Sequence, residues 1–175
     1  QGTDENEFFE IAGPAGTNLT GYSVAGYSGG TSGHYGTFNL SGILPDDGEG
    51  YGALAFDAVE AFPPLGNHQG GLQNGSPDGF GLINPDNVCI EFIAYEGSMT
   101  ATRADGDAGG SACDGVEGQD IGVFEQNNTA SESLQRTGTG LTGSDFTWVG
   151  PATASAGSIN ACLLYTSDAA DDLLC

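Results

Sequence analysis

The chain contains no lysine and only two arginines, Arg103 and Arg136, against 24 aspartates and glutamates, which gives a formal net charge of −22. Proteins bind nucleic acid by placing basic side chains against phosphates and releasing the counterions. A surface this acidic repels phosphates and anionic membranes, and divalent cations or high salt relieve its self-repulsion. The charge balance therefore predicts a domain that does not bind nucleic acid directly.

Long apolar runs are also missing. No stretch approaches the roughly 20 apolar residues of a membrane-spanning helix, so the sequence predicts no membrane insertion. An acidic chain with 31 glycines could be disordered, but 38% of its residues are hydrophobic and they occur in short, regular blocks. This pattern predicts a folded domain with long glycine-rich loops.

Residue patterns that carry catalysis are scarce. The two histidines, His34 and His68, have no second ligand at helical spacing, and both are predicted to be exposed or to cap turns. Residues 26–30 match the G-x-S-x-G pattern of a nucleophile elbow, which requires a helix immediately afterwards. The sequence Thr31-Ser32-Gly33 cannot begin such a helix, so a hairpin turn is predicted there. We therefore expect a protein that is not an enzyme.

Short apolar blocks alternate with Gly, Asn, Asp, Ser and Pro clusters, which is the pattern of an all-β domain. Strands are predicted at 7–12, 19–27, 35–40, 51–59, 80–83, 88–95, 121–124, 133–136 and 146–149. Helix is confined to a turn at 57–61, and 61–78 and 98–120 are long loops. Strands at this spacing form a sandwich or a barrel.

The alternation within the strands also predicts the core. Trp148 could be a platform for stacking a ligand, but its alternation with Phe146 on the last strand favours a core position. The predicted core residues are Phe9, Ile11, Leu19, Tyr22, Val24, Leu40, Leu54, Phe56, Leu82, Ile90, Phe92, Leu134, Phe146 and Trp148.

Several segments together resemble the lamin tail domain family of secreted bacterial proteins. They are 7–23 (EFFEIAGPAGTNLTGYS), 72–79 (LQNGSPDG), 92–97 (FIAYEG), 120–123 (DIGV), 133–135 (SLQ), 145–148 (DFTW) and 157–160 (GSIN), in the family's order. The resemblance implies an immunoglobulin-like antiparallel β-sandwich, here with long Gly-rich acidic loops. The sequence departs from the family in its two long loops and in lacking the family's first strand, which would leave a strand edge unpaired.

The resemblance implies a non-catalytic accessory or adhesion module of a secreted or cell-surface bacterial protein, located outside the cell. Its partner would be a protein or polysaccharide surface. Two alternatives stay open. The chain could tether a secreted nuclease or phosphatase whose catalytic domain is missing from this fragment, or it could be a calcium-dependent binding domain.

The end of the chain has a different character. Residues 162–172 resemble the in-frame translation of a transposon-end adapter used in sequencing libraries, whereas the alternative is a short amphipathic helix that begins after Ser167. We therefore expect the domain to comprise 1–160 and the tail 161–175 to be artefactual.

Without the tail, two cysteines remain, Cys89 and Cys113, and they lack the spacing of a zinc site. In a secreted protein they are expected to form a disulfide, and the alternative is two unpaired thiols.

Carboxylates cluster in glycine-rich turns, which could present several oxygen ligands to one calcium ion. The best candidate site comprises Asp105, Asp107, Asp114 and Asp120, in the loop that a Cys89–Cys113 bridge would restrain. No EF-hand loop is complete. The alternative is an acidic, solvated surface suited to high salt, so calcium is the one cofactor that the sequence suggests.

Overall fold

The computed structural model describes residues 7–30, 33–64, 70–75, 77–103, 110–125 and 131–166. Within them the protein is all-β, as the sequence predicted. In chain order the elements are β1 (Phe8–Pro14), β2 (Ser23–Ser28), β3 (Gly33–Asn39), β4 (Tyr51–Asp57), α1 (Ala58–Ala61), β5 (Asp78–Ile83), β6 (Cys89–Tyr95), β7 (Met99–Thr100), β8 (Glu117–Gly118), β9 (Glu132–Gly140), a 3₁₀ turn (Gly143–Asp145), β10 (Thr147–Thr153) and β11 (Leu163–Tyr165).

The strands form packed, mainly antiparallel sheets, which confirms the predicted sandwich class. One sheet has the order β3-β2-β5-β6 and is antiparallel throughout. β1 pairs antiparallel with β4, and the short strands β7 and β8 form a further antiparallel pair. In the C-terminal sheet, β9 lies between β10, which is antiparallel to it, and β11, which is parallel to it.

β2 is buried on both faces, so the four-stranded sheet has an apolar core on each side. Alternate side chains of a strand point to opposite faces of its sheet. Val24 therefore packs into the core beneath β1 and β4, whereas Ala25 and Tyr27 pack into the core beneath β7. The result is a sheet covered on both sides.

Phe9 of β1 is at the centre of the first core. Its ring stacks on Phe56 of β4 with centroids 5.5 Å apart and meets Phe38 of β3 edge-on at 6.5 Å. Aromatic pairs in these geometries stabilise a core beyond the area they bury. The predicted core residues Leu19, Val24 and Leu40 are buried in this same cluster.

Local signals explain the helix and the β5–β6 hairpin. Asp57 caps α1 by accepting a hydrogen bond from the Glu60 backbone N–H at 2.8 Å, at the predicted position. Asn84 starts the β5–β6 turn, because its side-chain oxygen accepts from the N–H groups of Asp86 and Val88. No helix among the described residues has the length or apolar character needed to cross a bilayer.

Three details of the sequence prediction were wrong. Residues 121–124 are not a strand. Ile90 is not a core residue, since it is 51% exposed. The cause is an irregularity in β6: Ile83 pairs with Cys89 and Leu82 pairs with Glu91, so Ile90 is the extra residue of a bulge. Trp148 and Leu134, both predicted as core residues, are half-buried and belong to neither core.

Part of the predicted artefactual tail lies against the domain. Leu163 in β11 is buried, and the ring of Tyr165 stacks on Tyr51 at 4.1 Å between centroids. These contacts do not identify the origin of the segment. The domain boundary at 160 therefore stays a prediction.

Candidate functional site

A cavity of about 530 Å³ lies between strands β1 and β6 on one side and the C-terminal sheet on the other. We call it the cleft. Its volume is within the range of roughly 300–1,000 Å³ that is usual for ligand sites. Its apolar lining comes from both sides and includes Ile11, Phe80, Leu82, Ile93, Leu134 and Phe146.

The cleft follows the edge of β1. All residues from Glu7 to Pro14 line it, although successive side chains of a strand point to opposite faces. A cavity lined by both sets of side chains runs along the strand's edge rather than over one face. Among the described residues, β1 pairs with β4 on one side and has no strand partner on the other. Its second edge therefore borders the cleft.

The opposite wall holds an aromatic ring, a cation and a carboxylate in contact. Trp148 of β10 and Arg136 of β9 are direct cross-strand partners. The Arg136 Cζ lies 4.8 Å from the centroid of the Trp148 ring, within cation–π range. The Nη2 of Arg136 also forms an ion pair with Oε1 of Glu91 on β6. This contact connects the C-terminal sheet to β6 across the cleft.

The charge of the cleft is predominantly negative. Arg136 is the one basic residue that lines it among the described residues. The acidic lining residues are Glu7, Glu10, Glu91, Glu96, Glu125 and Glu132.

Polar contacts attach the C-terminal segment on the β1 side. Glu10 Oε1 accepts a hydrogen bond from the Gly157 N–H at 2.7 Å, and Asp47 Oδ2 accepts from the Ile159 N–H at 3.2 Å. Burial raises the pKa of Glu10, and Asp47 contributes in the same direction, although N–H groups of Gly157 and Ser158 oppose the shift. A positively charged group placed beside Glu10 would stabilise the charged form of its carboxylate.

A second polar cluster surrounds residues 70–75. Leu72 N–H donates to Glu7 Oε2 at 2.6 Å, Gly75 N–H donates to Glu96 Oε2 at 3.0 Å, and the Tyr95 hydroxyl donates to the Gln73 carbonyl at 2.9 Å. These contacts fix the end of the predicted long loop 61–78 against β1 and β6.

Asp78 lies beside this cluster and is only 2% exposed. Its Oδ1 accepts from the Gly29 N–H at 3.3 Å, whereas its Oδ2 has no hydrogen-bond partner among the described residues. Burial raises the pKa of Asp78 to about 6, against hydrogen bonds from Gly29 and Ser28 that lower it. Asp78 is the most deeply buried carboxylate of the described chain.

The structure joins the two cysteines named from the sequence. Cys89 at the start of β6 and Cys113 in the β7–β8 connection form a disulfide with Cα atoms 4.9 Å apart. The bridge ties that connection to the sheet edge beside the second core.

The predicted calcium site is only partly within the described residues. Asp105 and Asp107 lie outside them. Asp114 accepts hydrogen bonds from the Tyr27 hydroxyl at 2.9 Å and the Ser111 N–H at 3.0 Å, and Asp120 accepts from the Gly122 N–H. Within the described part of the chain, no group of three or more acidic, His or Cys side chains could hold a metal ion. Calcium therefore stays a prediction.

The G-x-S-x-G segment ends a strand. Tyr27 and Ser28 are the last residues of β2 and both are buried. His34 lies on β3, where its Nε2 is 2.8 Å from the Thr37 hydroxyl, and His68 is outside the described residues.

Sequence reasoning missed the roles of Arg136 and Glu91. One signal was available for Arg136, because a basic side chain in so acidic a chain stands out. Nothing local to Glu91 indicates its partner, which is 45 residues away.

Comparison of the chain with protein-family models, curated proteins and solved structures gives no match. The resemblance to lamin tail domains therefore depends on the sequence motifs alone and stays a prediction.

Proposed function

We propose that this protein is a non-catalytic binding module, of the accessory or adhesion type, that belongs to a secreted or cell-surface protein and holds its partner in the cleft. The observation that carries the proposal is the cleft itself: a cavity of about 530 Å³ whose wall includes the tryptophan and one of the two arginines of the chain. Ligand sites are typically concave and largely apolar, with a few polar groups that fix orientation.

Two further features support an extracellular location. The Cys89–Cys113 disulfide is typical of proteins from oxidising compartments. The motifs shared with bacterial lamin tail domains also favour a module of a secreted or surface protein.

Adhesion to immobilised surfaces tests the proposal. The purified chain should be retained on protein-coated or polysaccharide-coated beads, and Trp148→Ala should reduce retention because the substitution removes the aromatic wall of the cleft. The matched control is Ile43→Ala, which removes an exposed apolar side chain outside the cleft. Circular dichroism must show that both variants are folded. Equal retention of both variants, or no retention of the parent chain on any surface, would contradict the proposal.

A further inference from the structure

We propose that the cleft binds an extended peptide bearing lysine or arginine, which adds as a strand to the free edge of β1. This inference rests on the proposed function and names the partner class: a basic segment of another protein. Three observations carry it, namely the unpaired edge, the negative lining and the apolar walls.

The edge supplies the backbone contacts. The second edge of β1 presents N–H and C=O groups that no strand satisfies among the described residues. A strand edge of this kind is a template for another extended chain, which gains affinity from backbone hydrogen bonds and specificity from alternate side chains. β1 spans Phe8–Pro14, so it can pair with a peptide of about seven residues.

The charges select a basic peptide. Glu10 and Glu132 approach the cleft from opposite sides, and Arg136 already pairs with Glu91. Acidic residues thus outnumber the one basic residue among the described residues that line the cleft. Ammonium and guanidinium groups compensate such carboxylates, and an acidic peptide is repelled by them.

Arg136 shows how this wall accommodates a cation. Its guanidinium lies over the ring of Trp148 and beside the carboxylate of Glu91, so aromatic and acidic groups act together. Basic side chains also have apolar stems, which suit Ile11, Leu134 and the other apolar lining residues.

Two other occupants fit less well. A saccharide would stack on the Trp148 ring, but Arg136 already lies over one face of that ring. A second copy of this chain would pair β1 with β1 across the cleft, but each copy has a formal net charge of −22 and the cleft wall contains Glu7 and Glu10. Repulsion between two strongly negative surfaces opposes this pairing.

Direct binding of a synthetic peptide tests the inference. The probe alternates lysine and valine over seven residues, and its counterpart replaces lysine with glutamate. Since Trp148 is the tryptophan of the chain, intrinsic fluorescence reports on the cleft. We expect saturable binding of the lysine peptide that weakens with salt, and none of the glutamate peptide.

Backbone methylation tests the strand pairing. Alternate N–H groups of a strand point to the same edge, so two versions of the lysine peptide are needed, each N-methylated on one alternate set. The version whose N–H groups face β1 should lose binding at least about tenfold, and the other should retain it. Binding of both versions, or of the glutamate peptide, overturns the proposal.

Charge variants of the full chain complete the test. Glu10→Gln and Glu132→Gln should each weaken the lysine peptide by roughly threefold to tenfold, whereas Glu60→Gln, on exposed α1, should leave affinity unchanged. Equal effects of all three variants overturn the proposal, and so does concentration-dependent dimerisation without peptide binding. If the chain adheres through Trp148 but no lysine peptide binds, this inference fails while the proposed function stands.

Discussion

Replacing Tyr27 with phenylalanine removes a buried hydroxyl that hydrogen-bonds to a distant carboxylate. Tyr27 is fully buried, and its hydroxyl donates to Oδ1 of Asp114 at 2.9 Å. The ring remains after Tyr27→Phe, so the substitution opens no sizeable cavity and the packing on Phe92 is retained. A hydrogen bond to a charged group contributes about 1.5–3 kcal/mol. We expect the free energy of unfolding to fall by about 2 kcal/mol, which lowers Tm by roughly 4–8 °C in a domain of this size.

Urea titration followed by circular dichroism measures this loss. Tyr22→Phe is the matched control, because the Tyr22 hydroxyl has no hydrogen bond among the described residues; we expect it to change stability by less than about 0.5 kcal/mol. In a double-mutant cycle, Tyr27→Phe should have little further effect in an Asp114→Ala background. A loss below about 0.5 kcal/mol for Tyr27→Phe, or full additivity with Asp114→Ala, would refute the assigned contact.

Three further predictions concern pH, the disulfide and calcium. Because burial raises the folded-state pKa of Asp78 to about 6, its contribution to stability is full below about pH 4 and is lost as pH rises through about 6. Asp78→Asn should therefore be more stable than the parent chain at pH 7 but not at pH 4 in urea titrations, and parallel pH profiles would contradict this. The Cys89→Ala/Cys113→Ala variant should lose about 3 kcal/mol, because the bridge closes a loop with a sequence separation of 24; an unchanged midpoint would show that the bridge does not stabilise the fold. If the loop with Asp105 and Asp107 binds calcium, calcium chloride should raise Tm well beyond sodium chloride of equal ionic strength, and equal shifts would exclude the site.

The sequence predicted those elements whose signals are local. The predicted helical turn at 57–61 and the break between the predicted strands 80–83 and 88–95 both occur, because the side chains of Asp57 and Asn84 bind backbone groups within four residues. β1 and β4 were visible from apolar blocks of sufficient length. In contrast, β7 and β8 contain two residues each, and their pairing depends on a contact between distant segments. The bulge at Ile90 likewise depends on the register with β5.

The cleft was beyond sequence reasoning for the same reason. Trp148 alternates with Phe146 as a core residue would, and only the separation between the C-terminal sheet and β1 leaves it half-buried. The cysteines were easier to pair, because Cys89 and Cys113 are the two that remain of four once the tail is set aside as predicted, and two cysteines allow only one intramolecular bridge.

The way in which the C-terminal sheet is attached has a dynamic consequence. Neither apolar core includes a residue of β9, β10 or β11. In the described part of the chain, the Tyr51–Tyr165 stack and polar contacts such as Glu10–Gly157 and Arg136–Glu91 attach this sheet to the rest of the domain. Separating the C-terminal sheet from the domain exposes less apolar surface than unfolding β2, which is covered on both faces. The amides of β9, β10 and β11 should therefore exchange with solvent through a partial opening that costs less free energy than global unfolding. A ligand between the two parts must then hold them together. Ligand binding in the cleft would therefore slow hydrogen exchange at the C-terminal amides. The ligand would supply contacts between the C-terminal sheet and β1 that neither apolar core provides.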